Sequence, residues 1–147
     1  MHSAASIAAM TMLLVLTAPS AVQAQWITDP HNGCRVWNQN PQEGETISWS
    51  GECKDSTAEG RGVLQWFKHG RPADRYEGEL RDGKADGHGV LHKPSDDTYE
   101  GEWHEGRAHG LGRLTGRSRK YTGIWTDGCA RDGDNWIGVG RNADTCH

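Results

Sequence analysis

Tyr76-Glu-Gly-Glu-Leu-Arg-Asp-Gly-Lys-Ala-Asp-Gly-His-Gly-Val-Leu91 is followed by Tyr99-Glu-Gly-Glu-Trp-His-Glu-Gly-Arg-Ala-His-Gly-Leu-Gly-Arg-Leu114. A tyrosine, four glycines, one large apolar residue and a closing leucine return at the same offsets, 23 residues apart. Self-similarity at such a period marks a stacked-repeat architecture, in which each unit buries its apolar face against its neighbours. Parity within the unit separates two faces. Tyr76, Gly78 and Leu80 share one side with Gly87, Gly89 and Leu91, and Tyr99, Gly101, Trp103, Gly110, Gly112 and Leu114 repeat that stripe. The other side carries Glu77, Glu79, His88, Val90 and His92, then Glu100, Glu102, Leu111 and Arg113. One apolar and one polar face predicts an antiparallel meander. Asp82-Gly83, Glu105-Gly106 and Asp127-Gly128 fall where the chain must reverse, and Pro94-Ser-Asp-Asp97 makes the return turn to the next unit.

A degenerate unit precedes this pair. Trp49-Ser-Gly51 takes the tyrosine slot, Ser56 replaces the turn glycine, and Gly60-Arg-Gly62 with Leu64 completes it. Cys53 stands where the later units have Leu80, Trp103 and Trp125, and is therefore expected to point inward. A fourth unit opens with Tyr121-Thr-Gly123-Ile-Trp125 and Asp127-Gly128, and then loses the spacing. Inner-face glycines are poor strand formers. Their use here is explained by an aromatic ring lying over each glycine backbone and filling the missing volume.

The first 24 residues contain no Lys, Arg, Asp or Glu and centre on Leu13-Leu-Val-Leu16. Pro19 and the small residues of Val22-Gln-Ala24 complete a leader cleaved after Ala24, with His2 in place of the usual basic n-region. The apolar run is short for a membrane span, which needs roughly 20 residues. The expected location is exported, periplasmic or extracellular. The organisation read from the sequence is a signal peptide over 1–24, an N-terminal cap over 25–47, repeats over 48–128 (49–75, 76–98, 99–120 and from 121 onward), and a C-terminal cap over 129–147. Cys34, Cys53, Cys129 and Cys146 all follow the cleavage point, an even set that predicts two disulfides. Three connectivities are open; Cys34–Cys53 with Cys129–Cys146 is favoured because those pairs bracket the repeats. No Cys-x-x-Cys occurs to suggest zinc.

The motifs Tyr76-Glu-Gly-Glu-Leu and Tyr99-Glu-Gly-Glu-Trp, with their Gly-x-Gly partners, resemble MORN (membrane occupation and recognition nexus) repeats from about Trp49 to Trp125. The resemblance implies an all-β fold: an elongated single-layer antiparallel meander of stacked hairpins, here with disulfide-clamped ends. Its function is implied only as membrane association, dimerisation or scaffolding, and no second domain is expected to bring an activity.

The remaining chemistry is sparse. No Gly-x-Ser-x-Gly elbow appears, and the paired glutamates sit on a solvated strand face, so no catalytic residue is expected. His88, His92, Glu79 and Glu102 share a face, but His109 breaks the pattern, and neither a metal nor another cofactor is expected. The net charge of −4 with the exported reading excludes nucleic acid. Arg113, Arg117, Arg119 and Lys120 form a local basic run able to meet an anionic lipid surface. Trp26, Trp37, Trp66 and Trp136 have no repeat position and are expected to pack caps on the sheet ends, with sugar stacking as the other use. The expected function is a non-catalytic protein–protein interaction or scaffold module, its partner an unidentified protein or a second copy of the chain. Peripheral association with anionic lipid through Arg113–Lys120 is the alternative.

Overall fold

A computed structural model describes residues 23–147; most of the expected leader lies outside them. The strands are β1 (Gln25–Thr28), β2 (Arg35–Asn38), β3 (Glu45–Trp49), β4 (Glu52–Lys54), β5 (Thr57–Lys68), β6 (Arg71–Arg81), β7 (Lys84–His92), β8 (Thr98–His104), β9 (Arg107–Thr115), β10 (Lys120–Trp125), β11 (Cys129–Asp132) and β12 (Asn135–Gly138). A 3-10 turn, Ala143–Thr145, follows. The main sheet runs β1-β2-β5-β6-β7-β8-β9-β10, with β3 and β4 both pairing β5, while β11 and β12 form a separate hairpin. All pairings are antiparallel except a single parallel bridge, Arg35 with Thr57. The fold is the all-β meander of hairpins that the repeat spacing predicts.

The core is an aromatic ladder climbing from unit to unit. Tyr76 meets Trp103 edge-on at 5.3 Å, Trp103 meets Tyr99 at 5.2 Å, Tyr99 meets Trp125 at 5.1 Å, and Trp125 meets Tyr121 at 5.5 Å. Edge-to-face pairs of this kind add about 0.5–1.5 kcal/mol each beyond the area they bury. The rings also settle their polar atoms. The Tyr76 hydroxyl donates to the Glu79 carbonyl at 2.8 Å and Tyr99 to Glu102 at 3.0 Å. Trp49, in the tyrosine slot of the first unit, makes the same three-residue reach from its indole nitrogen to the Glu52 carbonyl, 2.8 Å. That shared bond explains why tryptophan substitutes for tyrosine there.

Rings do lie over glycines. A Cβ on Gly78 would stand 2.7 Å from the Tyr76 hydroxyl, and one on Gly62 would stand 2.7 Å from the Trp49 ring. Cβ atoms on Gly89 and Gly112 would fall inside the space held by Tyr76 and Tyr99. The first glycine of each Gly-x-Gly departs from the expected inner face. Gly78 pairs Gly89 but Leu80 pairs Ala85, so Asp86, Gly87 and His88 together oppose Glu79. The next unit repeats the bulge at Gly110. Gly87 and Gly110 take φ of +89° and +77°, and a Cβ on either would meet the Glu79 or Glu102 side chain on the polar face. Parity fails there because a bulge resets the alternation.

The caps do more than cover the ends. The expected N-terminal cap lies along a whole row of hairpin turns rather than over the first unit alone. Arg35 N–H donates to the Ser56 carbonyl, Trp37 N–H to Gly83, and the Gln39 side chain to Glu105, at 2.9–3.0 Å. From the other end, Val139 N–H donates to Gly128 at 2.8 Å. The turns also join one another: Gly83, Gly106 and Gly128 donate to the carbonyls of Ala58, Ala85 and Ala108 at 3.0, 2.9 and 2.8 Å. Turn residues thus find their partners in the preceding unit, and few buried polar groups are left to water.

Disulfides join Cys34 to Cys53 and Cys129 to Cys146, with Cα separations of 5.7 and 5.8 Å. Cys53 corrects the inward expectation. It keeps the register of Leu80, pairing Ala58 as Leu80 pairs Ala85, yet is exposed. Its strand, β4, pairs β5 alone, so no neighbouring unit covers it. Cys34 is the buried partner, 1% exposed.

Candidate interaction surfaces

Three surfaces offer chemistry beyond the ladder. The first is the basic run. Arg117 is ion-paired with Asp96, and Arg119 Nη2 lies 3.6 Å from Asp97, so the β9–β10 loop closes on the acidic β7–β8 loop. The chain that supplies the charge also supplies its neutralisation, from a turn 21–22 residues earlier in sequence. Arg113 and Lys120 lie on the polar sheet face, where Arg113 sits across from Glu100.

The second is the edge strand β10. In the two preceding units an outgoing strand, β6 or β8, is covered by its return strand, β7 or β9. After Asp127-Gly128 the chain makes one bridge back, Thr126 with Cys129, then turns away into β11–β12. The Cys129–Cys146 disulfide holds that diverted hairpin against the 3-10 turn. Among the described residues no strand pairs the outward side of Lys120–Trp125. Beside this edge the polar face turns apolar: Ile124 and Leu111 are cross-strand partners, 64% and 62% exposed. An unpaired edge beside exposed apolar side chains is a template for another strand.

The third is a groove of about 580 Å³ above the inner face. Its base includes Leu64, Tyr76, Leu91 and Trp103, and its walls come from the N-terminal segment 37–42 and the C-terminal segment 138–142. The two caps therefore shape a cavity that neither the repeats nor the caps form separately.

The remaining candidates do not converge. His88 lies 3.4 Å from Glu102 and 3.9 Å from Glu100, and His104 lies 3.3 Å from Asp86. Among the described residues no three His, Cys, Asp or Glu side chains are placed to hold a metal. Glu105 and Asp127, the first residues of two turns, have carboxyls held below the usual range. The cause for Glu105 is the hydrogen bond from Lys84, and for Asp127 the hydrogen bond from Arg107. Both are ion pairs between successive units (2.6 Å each), and structural in kind. Of the tryptophans outside the repeats, Trp26 and Trp37 pack edge-on at 5.3 Å with Arg35 over Trp26, and Trp136 carries Arg131 at 5.6 Å. Trp66 packs against the core at the groove.

With hairpins, paired glycines and ladder in view, the family model of the MORN repeat matches residues 76–98 and 99–119. Residues 76–119 are a pair of MORN repeats. A search of curated proteins finds no match to the chain. MORN repeats occur in modules that bind proteins or membranes, and the family is generally non-catalytic. The two disulfides fit an oxidising compartment. Outside the matched pair the ring-on-glycine arrangement recurs, with Trp49 over Gly62 and Tyr121 beside Gly123.

Sequence reasoning missed the open side of β10 and the groove. The lost spacing after Gly128 was a signal for the first, since a return strand requires it. The groove had no local signal, because its walls come from opposite ends of the chain.

Proposed function

We propose that this MORN-repeat protein is an exported, non-catalytic interaction module that binds a protein partner by strand addition at β10. A second copy of the chain is the first partner to test. The observation that carries the reading is the unpaired outward side of Lys120–Trp125 beside exposed Ile124 and Leu111. Backbone hydrogen bonds along the edge supply affinity and the apolar pair supplies burial. Export is supported by the uncharged apolar leader ending at Ala24 and by two disulfides. Binding to anionic lipid has less in its favour, since Arg117 and Arg119 already face Asp96 and Asp97 and leave Arg113 and Lys120 as the cations to meet headgroups.

Analytical ultracentrifugation of the wild type with Ile124→Glu and Leu111→Glu tests the reading. The wild type is expected to dimerise with rising concentration and both variants to stay monomeric. A wild type that remains monomeric, and that retains no envelope protein that Ile124→Glu loses, would overturn it. Salt-sensitive binding to anionic vesicles, lost when Arg113 and Lys120 are neutralised, would replace it with the lipid reading.

A further inference from the structure

The groove has a chemical character that strand addition at β10 does not use. Trp49, Trp103 and Trp125 each spend their indole N–H on a backbone carbonyl. Trp66, half-buried on the inner side of β5, differs: its indole nitrogen has no acceptor among the described residues, and the residue lines the groove. Tyr76 and Trp103 extend the aromatic base below it.

The walls are polar but electrically balanced. Lys93 is paired with Asp74 at 3.2 Å, and Arg141 shares Asp127 with Arg107, at 2.8 and 2.6 Å, while the Glu45 carboxylate adds a negative charge to the lining. Lys84 is paired with Glu105 at 2.6 Å. Lys68 is the exception, bonded to the neutral amide of Gln42. The lining is rich in amides, supplied by Asn38, Gln39, Asn40 and Gln42 of one short segment and by Asn142 of the C-terminal segment. Asn38 is already committed to Glu45. The Asn40 side chain and the amide nitrogens of Gln42 and Asn142 have no acceptor or donor partner among the described residues.

An amide both donates and accepts, as a hydroxyl does. Paired charges leave little net field to draw a phosphate or nucleic acid. An aromatic base takes a flat C–H face, and an unspent indole N–H takes a hydroxyl oxygen at its rim. The ligand matching all three features is uncharged, has an apolar face and is ringed with hydroxyls. We infer that the groove binds a neutral oligosaccharide, one pyranose ring stacked on Trp66 and its hydroxyls held by Asn40, Gln42 and Asn142. The volume of about 580 Å³ lies in the ordinary range for small-ligand sites. The groove opens on the inner face, whereas β10 is the margin of the sheet with Ile124 and Leu111 on the other face, so the two sites fail separately.

The test is a glycan array of neutral and acidic oligosaccharides probed with the intact exported protein. Tryptophan fluorescence titration with the best neutral hits, and with chitotetraose and cellotetraose as fixed probes, then measures affinity. Trp66→Ala is expected to weaken binding about tenfold or more. The exposed double variant Asn40→Ala/Gln42→Ala, which leaves the core alone, is expected to weaken it several-fold. Ile124→Glu should bind as the wild type does. Three results would overturn the inference: no neutral glycan retained at millimolar concentration, affinity unchanged in both groove variants, or displacement of the bound glycan by a fatty acid or peptide that binds more tightly.

Discussion

At the residue scale the decisive partnership is a ring and a glycine. Tyr76 occupies the volume that any side chain at Gly89 would need, and its hydroxyl is anchored on Glu79 while its ring abuts Trp103. Gly89→Ala therefore has nowhere to relax and is expected to cost about 1–3 kcal/mol, read as a lower midpoint in urea. Tyr76→Phe keeps the ring and loses one hydrogen bond, a cost of about 1 kcal/mol. The phenols also tie stability to pH. Burial, then the nearby Glu79 charge, pushes Tyr76 far above the ordinary tyrosine value of 10.0, and burial with Glu102 does the same for Tyr99. The folded state thus holds these protons more tightly than the unfolded chain. The contribution is whole below about pH 10 and shrinks as pH rises past the unfolded value. Absorbance at 295 nm should show both phenols ionising only as the protein unfolds; ionisation of all tyrosines near pH 10 with native circular dichroism would refute it.

The element scale is the scale of the turns. Asp82-Gly83, Glu105-Gly106 and Asp127-Gly128 all take positive φ at both residues, as two-residue hairpin loops require. The first unit does the same with Asp55-Ser56, holding Ser56 at φ 59°. A serine there carries the left-handed penalty that glycine avoids. Ser56→Gly is expected to stabilise by about 0.5–1 kcal/mol, raising the thermal midpoint; an unchanged or lower midpoint would contradict it. These turns were legible in the sequence because turn chemistry is local: Asp-Gly or Glu-Gly recurs at one offset. The bulges at Gly87 and Gly110 were not. A glycine spaced two from another looks like a second inner-face position, and only the pairing of Gly78 with Gly89 reveals the extra residues. Cys53 misled for a related reason: register fixes which residue faces which, while burial depends on a neighbouring unit that β4 lacks.

For the whole molecule the staples close loops of 19 and 17 residues. Chain-entropy reasoning assigns each about 3 kcal/mol. Reductant, or Cys129→Ser with Cys146→Ser, should lower the thermal midpoint by several degrees; equal midpoints with and without reductant would show that the caps hold unaided. Repeat architecture was readable because each unit repeats its own side-chain code. The path of the caps was not, because they bind the turns largely through backbone groups, which leave no pattern in side-chain identity. For the same reason the open side of β10 and the groove emerged only once the strands were paired.

The N-terminal segment reaches the turns at Arg35, Trp37 and Gln39, two residues for every unit it passes. Open solenoids lengthen by simple duplication of a unit. Here an inserted hairpin would add one turn and find no residue in the segment to receive it. The fourth turn, at Gly128, is met instead by Val139 from the C-terminal side, so the N-terminal segment behaves as a gauge cut to three turns, and a hairpin inserted among those three would break its register unless two residues were added to it.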